Sequence, residues 1–328
     1  MSTTALKPKQ KKKTQGSNGS SFDNLEIFLL HLPTTIWYLI FCYAPMFGVV
    51  IAFKNYKVRP GKSFLWSLFK NSKWCGFDNF DFLFKSSYFS SMLRNTLAYN
   101  LIFIILGVLI PVTLAILISQ MYSKKMAKVC QTAMFLPHFL SWVVISYFVY
   151  AFLATDAGLV NNIARSIGVG DPKHAWYSDV GFWKYFLVFL NQWKGMGYGM
   201  VVYLATISGI DNEMYEAALI DGASKWEQTK YITLPLLKPV IIIMFIMAVG
   251  RIFNSDFGLF YKTTRNSTSL YSAYVTLDVY VYNSLFNSTI PTYGYASAAG
   301  FLQSVLGCLT LVTANAIVRK VDNENAFF

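Results

Sequence analysis

Six apolar runs, each close to the roughly 20 residues that cross a hydrocarbon layer, leave this chain few ways to fold. They lie at about 27–52, 96–119, 132–153, 184–207, 240–260 and 295–318. Lipid offers no hydrogen bonds to a bare backbone, so runs of this length read as helices, which satisfy their own N–H and C=O groups. The expected fold is an all-α membrane protein with six transmembrane helices in one domain, 27–320, and no soluble domain. Composition agrees, because only 13% of the 328 residues are charged, against roughly 25% in soluble domains.

The formal net charge of +12 does not point to nucleic acid. Five lysines sit in the first thirteen residues and most other basic residues flank apolar runs, a pattern that fits attraction to anionic membrane lipid. Residues 1–26 read as a basic, disordered tail and 321–328 as a short C-terminal one. Six spans put both termini on one side, and the basic tail argues for the cytoplasm. Thirteen Lys/Arg then lie inside and twelve outside, and eight of the outer ones fall in 54–94. The charge rule therefore supports this orientation only when that aromatic-rich connector, read as an interfacial segment, is set aside. Residues 158–168 fit a short amphipathic helix, and 261–294 form the last outer loop. Cys42, Cys75, Cys130 and Cys308 are scattered without a CxxC, and His31, His138 and His174 lack metal-ligand spacing, so neither disulfide nor metal site is expected. The apolar run beginning near Ile27 is too long for the core of a cleavable signal.

Between the fourth and fifth runs lies a polar segment, about 211–235, with strong local signals. Asp211 is a candidate N-cap for a helix through Ile220. Ala217 and Ala218 are small enough for another backbone to approach. Gly222 accepts a left-handed conformation, so the helix can stop and turn there. Ser224 and Glu227 have capping-box spacing and start a second helix. Pro235 and Pro239 make continuation of that helix costly until the next span begins. The expected object is two short helices joined at a glycine.

Written as EAA-x3-G-x9-I-x-LP, the residues Glu216, Ala217, Ala218, Gly222, Ile232, Leu234 and Pro235, with Asp221 beside the glycine, resemble the cytoplasmic coupling loop of permease subunits in bacterial ABC importers. Further segments resemble the maltose-type (type I) permeases: Asn95-Thr96-Leu97, Phe135-Leu136-Pro137, the run from Gly250 to Tyr261, and that from Ala298 to Gly307. The last two are similar to the branch that handles complex oligosaccharides and polysaccharide fragments. The resemblance covers 27–320. It implies a complex of this chain, a sister six-span permease and two ATPase subunits, served by an extracytoplasmic solute-binding protein in a bacterial cytoplasmic (inner) membrane. It also implies that the chain is not an enzyme and binds no cofactor, with ATP and Mg held by the partner ATPase. Gly61-Lys62-Ser63 is no phosphate loop, because Tyr56 stands where a Walker A motif needs glycine.

Polar groups inside a span usually face a cavity or a partner. Asn191, Lys194 and Tyr198 share one helical face of the fourth run, beside Trp193. Arg251, Asn254 and Asp256 end the fifth run, and Gln303 lies in the sixth. These residues supply hydrogen bonds for sugar hydroxyls and rings for pyranose faces. The alternative is that they tie helices together, with Arg251 paired to Asp256 and Gln303 bonded to a neighbouring backbone. Lys194 and Arg251 also raise the possibility of an anionic solute such as a uronic-acid oligosaccharide. Rival readings are a secondary transporter driven by an ion gradient, an importer permease for a non-sugar solute, and a membrane-embedded enzyme. The last lacks a nucleophile–base pair in the spans.

Overall fold

The computed structural model describes residues 21–85, 89–168, 170–171, 173–287 and 292–323. The stretch 1–20, which carries the five N-terminal lysines, and residues 324–328 of the C-terminal tail lie outside the described residues. The chain divides into two units, 1–49 and 50–328. In the first unit, α1 (Ser21–Tyr38) runs on through a π-turn at Leu39–Tyr43. Its Leu30 and Phe41 are exposed, as suits a helix whose solvent is hydrocarbon.

The second unit opens with a two-residue antiparallel pairing, β1 (Lys54–Asn55) with β2 (Lys73–Trp74). There follow α2 (Asp78–Lys85), α3 (Phe89–Ser119), α4 (Lys124–Phe135), α5 (Trp142–Leu153), α6 (Leu159–Ile167) and α7 (Val180–Ser208). Then come α8 (Asn212–Ile220), α9 (Lys225–Gln228), α10 (Leu234–Val249), α11 (Leu277–Tyr282) and α12 (Tyr293–Val321). The amphipathic helix expected near 158–168 is α6, ended by Gly168 in the left-handed region.

The core is strung along α7. Trp183, Leu187 and Leu190 join Tyr99, Phe260 and Tyr274 in one buried cluster. Met200, Tyr203 and Ile207 join Val112, Ala115 and Leu237 in another. Each triplet follows i, i+3/4, i+7 spacing and so lies on one face. The two faces differ, because the 17 residues from Trp183 to Met200 are not a whole number of turns, and α7 is buried on different sides in its two halves.

Among the described residues, four helical runs are long and apolar enough to cross a membrane: Ile27–Phe53, Phe89–Ser119, Lys225–Val249 and Tyr293–Lys320. The pair Lys124–Phe139 and Trp142–Leu153, bent by 99°, makes a fifth if it counts as one span. With 29 residues α7 is about 43 Å long, but Asn191, Gln192, Lys194 and its glycines keep it out of that set.

Several sequence expectations need correction. The third run is not straight, because Pro137 sits in a 3₁₀ turn at the bend. The fifth helix stops at Val249, well short of 260. Within 261–294, expected as the last outer loop, Leu270, Ala273, Val275, Leu277 and Val279 are fully buried, so this part of the connection is packed core. The start of α3 anchors that segment: Asn95 Nδ2 donates to the Ser272 and Val275 carbonyls, and the Tyr99 hydroxyl to that of Ala273. Pro235 does not interrupt the helix either. A π-turn at Thr229–Thr233, in which the Leu234 N–H reaches the Thr229 carbonyl, carries the chain from α9 into α10. Pro235 follows that π-turn closely, near the start of α10.

Candidate functional site

At one end of α7 lies the 211–235 segment. Asp211 Oδ1 accepts the Glu213 N–H at 3.0 Å and starts α8. The helix ends in a Schellman turn: the Ala223 N–H reaches the Ala218 carbonyl at 2.8 Å, the Gly222 N–H reaches that of Leu219 at 3.1 Å, and Gly222 has φ +83°. No atom lies within 4 Å of where a Gly222 Cβ would stand. Glycine is needed here for conformation and not for space. Glu227 Oε2 accepts from the Ser224 N–H and hydroxyl, both at 2.7 Å, while Ser224 Oγ accepts the Glu227 N–H at 3.3 Å. The Ser224 hydroxyl, and then its backbone N–H, hold the Glu227 carboxyl below its ordinary range.

Glu216, Ala217, Asp221, Gly222 and Pro235 are exposed, and Ala218, Ile232 and Leu234 are half-buried. Sequence reasoning missed the apolar side chains beside them. Ile220 is 87% and Trp226 70% exposed, with Leu219 and Tyr231 also open. Large exposed apolar residues among capping and charged ones were the available signal. One bond ties the segment to the end of α3 and another closes it on itself. Gln120 Nε2 donates to Thr229 Oγ1 at 2.6 Å, and the Tyr215 and Thr233 hydroxyls meet at 3.0 Å. Both threonines belong to the π-turn.

Midway along α7, two helix breaks meet it. At the first, Lys194 Nζ donates to the His138 carbonyl at 2.8 Å and lies 5.5 Å from the centre of the Trp142 ring. His138 stacks on Tyr198 with ring centres 5.1 Å apart. At the second, after Val249, Trp142 Nε1 donates to Asp256 Oδ2 at 2.6 Å, and Asp256 Oδ1 accepts the Gly258 N–H at 2.9 Å. A Cβ on Gly258 would stand 2.3 Å from Trp142 Cδ1, so only glycine admits the indole.

The non-helical backbone from 250 to 256 is satisfied by side chains from three helices. Asn100 Nδ2 of α3 donates to the Ile252 and Asn254 carbonyls at 2.8 and 2.9 Å. Gln303 Nε2 of α12 donates to the Phe253 carbonyl at 2.8 Å and to Asp278 Oδ2 at 3.1 Å. Asp278 of α11 also accepts the Ser255 N–H at 2.6 Å and its hydroxyl at 2.7 Å. Irregular backbone at membrane depth is tolerated where protein or a water-filled cavity surrounds it.

The structure thus brings Lys194, Tyr198 and Asp256 together through His138 and Trp142, neither of which the sequence singled out for this place. Asn191 is on the same face of α7, accepting from Gln192 at 3.2 Å, whereas Trp193 packs against the apolar core. Arg251 and Asn254 are exposed on the broken segment. Among the described residues Arg251 forms no ion pair with Asp256, which binds Trp142 instead. Gln303 bonds backbone, the helix-tying alternative.

Comparison with known proteins places this architecture. Residues 107–322 match the family described as binding-protein-dependent transport system inner membrane component. Protein LplB of Bacillus subtilis (strain 168) is 33% identical over 92% of this chain and 91% of its own length. The polygalacturonan/rhamnogalacturonan transport system permease protein YteP of the same organism is 30% identical over 92% and 90%. A crystal structure of a bacterial ABC transporter involved in the import of the acidic polysaccharide alginate contains a chain that superposes with a TM-score of 0.79 at 30% identity, covering 91% of this chain and 96% of that one.

Proposed function

The chain belongs to the family of binding-protein-dependent transport system inner membrane components, and on that premise we propose that it is one of two membrane subunits of an ATP-driven importer of oligosaccharides or polysaccharide fragments. The observation that carries the mechanism is the 211–235 segment. It is a stiff, capped, exposed helix pair with an apolar tip, joined to α10 without a break. Docked in a groove of an ATPase subunit, it moves as one piece with α10 and, through Gln120, with α3. ATP binding in the partner draws two such segments together and opens the path outward; hydrolysis resets it inward. ATP and Mg reside on the ATPase, and a solute-binding protein delivers the sugar.

In this reading the bent pair α4–α5 and the polar helix α7 complete six spans, with both termini and the 211–235 segment cytoplasmic. Glu216, Ala217, Ala218, Asp221, Gly222, Ile232, Leu234 and Pro235 form the coupling surface. The path runs along Asn191, Lys194 and Tyr198, past Trp193, toward the broken segment with Arg251, Asn254 and Asp256, which Gln303 holds in place. Lys194 and Arg251 suit an acidic sugar, and the substrates named for YteP and the alginate transporter favour that class.

The test is affinity purification of the tagged chain from its native membranes in mild detergent. A second six-span permease and an ATPase with a phosphate-binding loop are the expected companions. Repeated recovery of the chain alone would overturn the proposal in favour of an ion-gradient transporter.

A further inference from the structure

The end of α7 opposite the 211–235 segment carries a cleft whose lining includes none of Asn191, Lys194, Tyr198, Arg251, Asn254 or Asp256. It encloses about 390 Å³, within the roughly 300–1,000 Å³ of small-ligand sites. Tyr150, Thr155, Asp156, Tyr177 and Arg265 line it, together with two alanines. The Arg265 guanidinium carbon lies 4.0 Å from the centre of the Tyr150 ring, and the Tyr150 and Tyr177 rings are 5.9 Å apart at 61°.

Arg265 is displayed by a turn that the surrounding structure must enforce. Arg265 and Asn266 have φ of +55° and +52°, a region L residues resist. Several bonds hold the turn: the Tyr274 hydroxyl to Asn266 Oδ1 at 2.9 Å, the Asn266 N–H to the Tyr261 carbonyl at 3.3 Å, and the Ser267 hydroxyl to the Tyr177 carbonyl at 3.1 Å. Strain that is over-determined in this way is characteristic of ligand clamps. Among the described residues neither Arg265 nor Asp156 takes part in an ion pair, although both line one cleft.

From this geometry we infer that the cleft is a sugar subsite at the outer mouth, in which Arg265 reads the carboxylate of a uronic-acid residue. A guanidinium presents parallel donors that match a carboxylate. Its stacking on Tyr150 fixes its plane. The aromatic faces and hydroxyls of Tyr150 and Tyr177 suit a pyranose, and Thr155 and Asp156 accept from its hydroxyls. The subsite receives the chain end before it reaches the mid-membrane breaks. The identity of the sugar and the outward orientation rest on the importer reading; the cleft's chemistry does not.

The test uses the assembled importer in lipid nanodiscs, with 3-fluorotyrosine at position 150 and ¹⁹F NMR. The probes are trigalacturonate and its fully methyl-esterified form, which keeps the sugar and removes the charge. A saturable shift with trigalacturonate is expected, with binding weaker by at least roughly tenfold for the ester and for Arg265→Gln, and by less for Arg265→Lys. No shift, or equal shifts from acid and ester on the unaltered protein, would overturn the proposal even if Arg265→Gln failed to assemble. ATP hydrolysis stimulated by the binding protein is followed in parallel. A shift without any stimulation would sink the importer reading and leave the cleft standing; stimulation without a shift would do the reverse.

Discussion

The proposed coupling segment and the two helix breaks beside α7 are built on opposite plans. In the segment the bonds that shape the helix ends are local: Asp211 to Glu213, Ala218 to Ala223, Ser224 to Glu227. In the breaks they cross the molecule: Trp142 to Asp256 is 114 residues, Asn100 to Ile252 is 152, and Gln303 to Phe253 is 50. A piece that must fit another protein gains from being stiff by itself, because no order need be created on docking. A piece that must open and close gains from being held by separate helices, because their relative movement can make and break its bonds.

The largest effect expected from breaking this contrast is at Gly222. Gly222→Asp meets no clash, but forces a side chain into the left-handed region at about 1–2 kcal/mol and adds a charge beside Asp221. Uptake by reconstituted importer should fall to background while membrane insertion is kept and the detergent melting temperature falls by no more than a few degrees. Normal uptake by a well-inserted variant would show that the Schellman turn has no part in coupling.

That local plan is why the segment was legible in the sequence. The cap at Asp211, the end at Ile220, the left-handed Gly222 and the Ser224–Glu227 box each depend on residue types a few positions apart. The continuous helix through Pro235 was not legible, because the π-turn at Thr229–Thr233 is anchored by Gln120 and Tyr215 from other elements. The apolar runs showed where helices lie, but not that the fifth stops at Val249. Its release depends on Asn100, Gln303 and Asp278 supplying hydrogen bonds across the fold. Of the candidate path residues, Lys194, Tyr198 and Asp256 come together, while Arg251 and Gln303 point to the limits of reading polarity without partners.

A smaller effect tests the other side of the contrast. Asn100→Leu leaves the Ile252 and Asn254 carbonyls without their donor, at a cost of about 1–3 kcal/mol. The melting temperature of the purified complex should drop by several degrees, with uptake lost in proportion. An unchanged melting temperature would mean that water or the sister subunit satisfies those carbonyls.

Next comes the junction itself. Trp142→Phe keeps the ring beneath Lys194 and removes only the indole donor to Asp256. Combined with Asp256→Asn in a double-mutant cycle, it should show a coupling of about 1 kcal/mol in the free energy derived from uptake rates. Strict additivity would place Trp142 and Asp256 in separate functions.

The smallest effect lies in the capping box. Glu227 is held below its ordinary range by Ser224, so its folded pKa is lower than its unfolded one. Its stabilisation is therefore fully present above the unfolded value and is lost as pH falls through the folded one. Amide exchange at residues 224–227, corrected for intrinsic rates, should be uniform at neutral pH and speed up only in the acid range below the ordinary carboxylate value. In Glu227→Gln that acid step should vanish, since glutamine can still accept from Ser224 but does not titrate. A step that survives the substitution would belong to another carboxylate, with Asp221 the nearest in sequence. The cap would then be no more than a local fastening, and the stiffness of the segment would have to come from its internal Tyr215–Thr233 bond and from Gln120.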